Sequence, residues 1–243
     1  MILFSDFDKT LYFRDSDERT MTNLEAIEKW REAGNLFCIT TGRSYKSVTE
    51  QMPQIKNICD YYIVDSGSIV LSRDGKLLNV FYFEPKIVER IAEISKTFSE
   101  IPILVYYTPN SEGLEYKVDG ITKLRLWFKD VSFLHSVNEQ LMNTFPVFAV
   151  FNSSVKSNIA GLEDYHGFIE VVPIESGKSN AIKFLAQKEK ILPEKIVTIG
   201  DGLNDLGMVR DFDGFAIEKS ELSNADINLK AASSLAKLVE NIL

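Results

Sequence analysis

Ile2-Leu3-Phe4-Ser5-Asp6-Phe7-Asp8-Lys9-Thr10-Leu11 passes from a short apolar run into two carboxylates one residue apart. Residues 2–4 read as a buried strand, because a continuous apolar run this short suits a strand covered on both faces. Strand alternation places Asp6 and Asp8 on the same side of the backbone unless the chain has begun to turn. Two carboxylates that close repel by about 4 kcal/mol at ~4 Å with an effective dielectric of ~20. They therefore share a proton, are solvated, or hold a cation.

Working outward, further apolar runs at Leu36–Thr40, residues 61–65 and Ile196–Gly200 each end in a small or polar residue. They alternate with amphipathic stretches, the pattern of βαβ units around a parallel sheet. Thr22-Asn23-Leu24-Glu25 fits a capping box that would open a helix, and Gly34 follows as its stop signal. In open parallel sheets ligands bind beyond the carboxyl ends of the strands, so these endings are read as a site. Between residues 83 and 172 the texture changes. A helix over 86–99, a strand at Ile103–Thr108, and a hairpin pairing 114–118 with Lys123–Phe128 through Asp119-Gly120 are expected, then a helix at Leu134–Thr144 and a strand at 147–151. The expected fold is α/β: a Rossmann-like parallel-sheet core from residues 1–82 and 173–243, with an α+β cap domain, 83–172, inserted.

Composition limits the function classes. Hydrophobic residues are 45% and charged residues 26%, ordinary for a globular enzyme, and 27 basic against 35 acidic residues give a formal charge of −8. That balance argues against nonspecific nucleic-acid binding and against attraction to anionic membranes. The N-terminal residues lack a basic, then apolar, export signal, and no run approaches the ~20 apolar residues of a membrane span. A cytoplasmic protein, monomeric or weakly dimeric, without nucleic-acid or membrane partners, is expected. Cys38 lies in an apolar run and shares no ligand spacing with Cys59, so a core role and no disulfide are expected.

Three more segments carry chemistry. Thr40-Thr41-Gly42-Arg43 ends one strand, where a hydroxyl and free amides suit a phosphate oxygen or an ordinary helix cap. Gly177-Lys178-Ser179 opens a helix; it is not a nucleotide P-loop, because that pattern needs Gly where this chain has Val172. Gly200-Asp201-Gly202-Leu203-Asn204-Asp205 packs two carboxylates and an amide between glycines after the last long strand. In this order the four segments resemble the motifs of the haloacid dehalogenase superfamily of phosphatases, in the Cof-type branch that inserts a large cap between its second and third motifs. Two positions depart from that pattern: Lys9 stands where Gly is usual, and Ser66-Gly67-Ser68 where Asn-Gly is usual.

The resemblance implies a phosphatase acting on small phosphate monoesters, sugar phosphates among them. Mg²⁺ would be held by Asp6, Asp201 and the backbone carbonyl of Asp8, with Asp205 in support. Asp6 would be the nucleophile and Asp8 the general acid–base. Lys178, Thr41, Gly42, Arg43 and Asn204 would bind the phosphoryl group. A phosphomutase with the same aspartyl-phosphate, or a non-catalytic phospho-metabolite-binding protein, are the alternatives. In the cap, Lys123 and Arg125 alternate with Leu124 and Leu126 and are read as a solvated sheet face, with substrate contact as the sharper option. Tyr106, Tyr107, Trp127 and Phe128 are read as cap core. His135 and His166 belong to no carboxylate pattern.

Overall fold

The computed structural model describes residues 1–109, 111–113, 120–153, 155–157 and 159–243. The chain forms two compact units, Met1–Asn79 with Lys178–Leu243, and Val80–Gly177.

The first unit opens with β1 (Ile2–Ser5), α1 (Asp17–Glu32), β2 (Leu36–Thr40), α2 (Tyr45–Gln51), α3 (Ile55–Ile58), β3 (Tyr61–Val64), β4 (Ile69–Ser72) and β5 (Leu77–Val80). In the second unit follow α4 (Pro85–Ser95), β6 (Ile103–Thr108), β7 (Ser111–Gly113), β8 (Lys123–Phe128), α5 (Leu134–Thr144), β9 (Val147–Asn152) and β10 (Gly167–Pro173). The chain returns to the first unit with α6 (Lys178–Glu189), β11 (Ile196–Gly200), α7 (Leu206–Asp211), β12 (Asp213–Ile217), α8 (Glu221–Ala225), β13 (Lys230–Ala232) and α9 (Leu235–Ile242). Among the described residues no helix is long and apolar enough to cross a membrane.

The first unit's sheet runs β13-β12-β11-β1-β2-β3-β4-β5. Its six strands from β13 to β3 are parallel neighbours, and β4 turns back antiparallel on β3. This is the Rossmann-like core that the apolar runs indicated. They are predominantly apolar because both faces are covered. Ile2, Phe4, Cys38 and Ile63 pack with Ala181, Ile182 and Leu185 of α6 and Met208 of α7. Leu3 and Phe37, also buried, alternate to the other face. Strand order reverses between β1 and β11, and the carboxyl ends of those two strands carry Asp6 and Asp201. A reversal point of this kind is where open α/β sheets form ligand sites. Cys38 and Cys59 are buried free thiols.

The capping-box reading is corrected. α1 starts at Asp17, with Ser16 as its N-cap accepting from the Arg19 amide at 3.3 Å and Asp17 and Glu18 in the first turn. Thr22 through Glu25 lie inside the helix, where Thr22 Oγ1 merely donates to the Glu18 carbonyl at 2.9 Å. Asn23 has a different task. Only 2% exposed, it donates from Nδ2 to the carbonyls of Thr10 (3.0 Å) and Leu11 (3.1 Å) and accepts the Ala236 amide at 3.1 Å. One buried amide thus ties α1 and the first turn of α9 to the loop that follows Asp6 and Asp8.

In the second unit the sheet runs β7-β6-β8-β10-β9. One face carries the core of Leu124, Leu126, Phe128, Ile169 and Val171 against Val88 and Ile91 of α4 and Leu134, Val137 and Leu141 of α5. The expected helix over 86–99 is shorter, Pro85–Ser95. The expected strand 114–118 and turn residue Asp119 lie outside the described residues; β8 pairs with β6 and β10. The solvated face expected for Lys123 and Arg125 is also corrected. Lys123 is 1% exposed, its ammonium 3.8 Å from Glu170 Oε2, to which Arg125 Nε donates at 2.7 Å. That face is covered because Val105, Tyr107, Trp127 and Phe168 gather with Leu162, Ile159 and Tyr165 from the segment before β10. Trp127, Phe128 and Tyr107 are core, as read from their pattern.

Asn23 gives a direct check. Asn23→Leu leaves two buried carbonyls and one amide unpaired and should lower the unfolding free energy by about 2–3 kcal/mol. Thr22→Ala should change it by less than about 0.5 kcal/mol, whereas loss of a true N-cap would cost ~1 kcal/mol. Urea unfolding of the two variants measures both.

Candidate active site

Asp6 immediately follows β1, and its amide extends the ladder by donating to the Ile199 carbonyl of β11 at 2.9 Å. The residue is 6% exposed. Lys178, the first residue of α6, is equally enclosed and places its ammonium 2.5 Å from Asp6 Oδ1. The same ammonium donates to Asp205 Oδ1. Asp205 is fully buried, and its other oxygen accepts the amides of Asp201 (3.1 Å) and Gly202 (3.0 Å). The loop after β11 can wrap its own carboxylate this tightly because Gly200 has no side chain: a Cβ there would stand 2.5 Å from Asp205 Cβ. At Gly202 a Cβ would lie 2.6 Å from Asn204 Oδ1, the tip of a side chain that can turn aside. Asp201 is held from the facing loop by Thr10, whose Oγ1 donates to Oδ1 at 3.2 Å.

Oxygens of Asp6, Asp201 and Asp205 all lie within 4.8 Å of one another. Three carboxylates meet one ammonium, and the electrostatics record the excess. Burial pushes Asp6 well above the usual carboxylate range against the pull of Lys178, and the carboxylates of Asp205 and Asp201 add to the rise. Burial and then Asp205 push Asp201 up to about 6, opposed by Thr10 and Lys178. Burial works against the charge of Lys178, but Asp205 and Asp6 outweigh it and raise its pKa above the ordinary lysine value. A compact set of hard oxygen donors with surplus negative charge fits a small divalent cation of the Mg²⁺ kind.

Asp8 lies apart from this group. Its carboxylate, 47% exposed, is gripped by Arg43, which donates from Nε to Oδ2 at 2.7 Å and from Nη2 to Oδ1 at 2.6 Å. Lys9 beside it takes a φ of 60°, the left-handed region where glycine is at ease, which accounts for Gly being the usual residue there. Thr41 opens the loop after β2, the strand next to β1. It is 1% exposed, its amide donates to the Ile63 carbonyl at 2.9 Å, and its hydroxyl accepts the Arg43 amide at 3.2 Å. Gly42 completes that turn. Asn204 sits half-buried in the single turn of helix after Gly202.

Of the residues singled out in the sequence, Asp6, Lys178, Asp201 and Asp205 meet in one cluster. Asp8 and Arg43 form a separate pair, and Thr41 and Gly42 stand on the adjoining strand end. Thr10 and Asn23 were not singled out. Thr10 carried a signal as part of Asp8-x-Thr10; Asn23 carried none, because its partners are backbone atoms distant in sequence.

A family model described as haloacid dehalogenase-like hydrolase matches residues 3–234. A protein of Mycoplasma capricolum, itself uncharacterized, is 26% identical over 231 residues, 86% of this chain and 87% of its own. A haloacid dehalogenase-like hydrolase from Bacillus subtilis superposes with a TM-score of 0.78 at 16% identity, covering 100% of this chain and 99% of that one. A subclass IIB sugar phosphatase of the same superfamily superposes at 0.74 and 15% identity, covering 99% and 97%. At such identities the superpositions establish the fold, and the family rests on the near full-length match of its model. The chain belongs to the haloacid dehalogenase-like hydrolase family.

Proposed function

We propose that this protein is a Mg²⁺-dependent phosphatase that hydrolyses small phosphate monoesters, sugar phosphates among them, by way of an aspartyl-phosphate on Asp6. The observation that carries the reading is the Asp6 carboxylate itself. It is buried at the strand-order reversal, bonded to Lys178 and crowded by Asp201 and Asp205. A structural carboxylate would need no such surplus of charge around it.

Asp6 and Asp201, with the backbone carbonyl of Asp8 and support from Asp205, would hold the ion. When bound it supplies positive charge that lets a carboxylate approach a phosphate dianion. Lys178, Thr41, the Gly42 amide and Asn204 bind the phosphoryl oxygens and stabilise the charge that shifts onto them in the transition state. An Asp6 oxygen forms a bond to phosphorus as the ester P–O bond breaks, and a proton from Asp8 passes to the leaving oxygen, giving the alcohol. Water then attacks phosphorus and yields its proton to Asp8. Inorganic phosphate leaves and the Asp6 carboxylate is restored. The substrate's organic part is the province of the unit Val80–Gly177, which acts as the specificity-determining cap. A sugar phosphate is favoured as substrate by the fold shared with the subclass IIB sugar phosphatase.

Phosphate release from p-nitrophenyl phosphate and a panel of sugar phosphates tests the reaction class. Turnover should require Mg²⁺, stop on adding EDTA, and fall by more than about 10³-fold in a folded Asp6→Asn variant. Absence of turnover on every ester by metal-loaded protein contradicts the reading.

The raised Asp201 pKa fixes a pH dependence. Its folded value near 6 exceeds its ordinary value of 3.8, so below the lower value the group contributes its full stability to the metal-free protein, and that contribution is lost as pH rises through about 6. A divalent cation binds the ionised form and must displace a proton at lower pH. Thermal unfolding should therefore show a Mg²⁺-induced rise in Tm that is large at pH ~7.5 and shrinks steadily below about 6. An increment unchanged between pH ~5 and ~7.5 contradicts this assignment.

A further inference from the structure

We infer that Arg43 is a positioning residue for Asp8 and not a ligand of the phosphoryl group, an inference that rests on the phosphatase reading. Asp8 is half exposed on a loop, and among the described residues its carboxylate has Arg43 as its one hydrogen-bond partner. A general acid–base must hold its oxygens at the leaving group within fractions of an ångström. A single-point contact leaves a carboxylate free to turn about its last bond. The Nε and Nη2 fork of Arg43 meets both oxygens at once and fixes the plane of the group.

Arg43 is itself held from every side. Its amide donates to Thr41 Oγ1 at 3.2 Å and its carbonyl accepts the Asp65 amide at 2.9 Å. Nη1 donates to Ser47 Oγ at 3.4 Å, and the guanidinium carbon lies 5.3 Å from the centre of the Phe7 ring. The Asp65 contact comes from a strained element. Asp65 and Ser66, both buried, have φ of 49° and 56°, and Gly67 follows at 93°. Left-handed backbone at two successive residues with side chains persists only where its surroundings require it, and such strain gathers at functional sites. Here the turn sends the Asp65 amide to the Arg43 carbonyl and the Ser66 amide, at 3.0 Å, to the Thr41 carbonyl. The strained turn fixes the Arg43 backbone, Ser47 and Phe7 steady its guanidinium, and the guanidinium sets Asp8. Phosphate binding would have to strip the fork from Asp8, while Lys178, Thr41 and the Gly42 amide already serve the phosphoryl oxygens.

The test uses the leaving group. p-Nitrophenolate departs without a proton, whereas the alkoxide of a sugar phosphate needs one. Both esters pass the same phosphoryl group to Asp6, and kcat/KM reports that step. In Arg43→Met, kcat/KM for the best sugar phosphate should fall about 100-fold, the order of one general acid's contribution, and that for p-nitrophenyl phosphate less than about fivefold. Arg43→Met added to Asp8→Asn should cost no more than about twofold further on either ester. Arg43→Lys, which keeps the charge but not the fork, should show the same selective loss. Circular dichroism and Tm identify any variant that is misfolded, and the Lys variant keeps the test intact if Met does not fold. Equal losses on both esters, or a KM increase shared by both, overturn the positioning role and make Arg43 a phosphate ligand. A wild-type protein inactive on both esters overturns the phosphatase reading and this role together.

Discussion

Lys178 stands buried between Asp6 and Asp205, and most of what is distinctive in the first unit serves that ammonium and the carboxylates around it. Burying charge is costly unless every partner is in place, and losing one member of such a set leaves the others uncompensated. The groups come from three parts of the chain: the end of β1, the start of α6 and the loop after β11. They meet because the sheet reverses its strand order between β1 and β11, which leaves a gap at the carboxyl ends for side chains to fill. Even complete, the set is out of balance, with one cation for three carboxylates. A folded protein that keeps its acids in this condition has room in its charge balance for a cation that is not a side chain.

Around that centre the backbone is fitted closely. Gly200 clears space for Asp205, so the acid loop can close on its own amides. Thr10 reaches from the opposite loop to Asp201, and Asn23 clasps the carbonyls of Thr10 and Leu11 from α1 while accepting an amide of α9. A side chain well removed from the chemistry thus anchors the loop that carries Asp6 and Asp8. On the other flank, the left-handed turn at Asp65 and Ser66 anchors the Thr41–Gly42–Arg43 turn. Pre-organisation of this kind is what a charge-stabilising site requires, because groups that need not move at the moment of reaction cost nothing to reorganise.

The central strands were legible because they are covered on both faces and so are predominantly apolar; Leu36–Thr40 and Ile196–Gly200 begin and end where their residues indicate. β5 and β13 at the sheet margins, short and less apolar, were not anticipated, and neither were β12 and β4, although the Ile69-Val70-Leu71 run of β4 is as apolar as β1. Thr22-x-x-Glu25 misled because the residues of a capping box also occur inside helices, and only Ser16 in extended backbone marks the real start. Lys123 misled because alternation reports which face a residue takes, not whether that face is wet. Its carboxylate partner, Glu170, sits on β10, far along the chain. The motif carboxylates and Lys178 were visible as types in order. The grip of Arg43 on Asp8 was not, since it joins two loops that only the strand order brings side by side. Lys9 and Ser66, the two departures from the family pattern, both occupy left-handed backbone, a property that residue identity alone does not announce.

The account stands on covalent chemistry at one carboxylate, and a rapid acid quench during a single turnover of a phosphate ester, followed by peptide mass mapping, examines it most directly. The expected result is one phosphoryl group on the peptide that carries Asp6, rising and decaying through the turnover and absent from Asp6→Asn. Turnover with a phosphoryl group on a different residue, or with none on any peptide at any time, would contradict it.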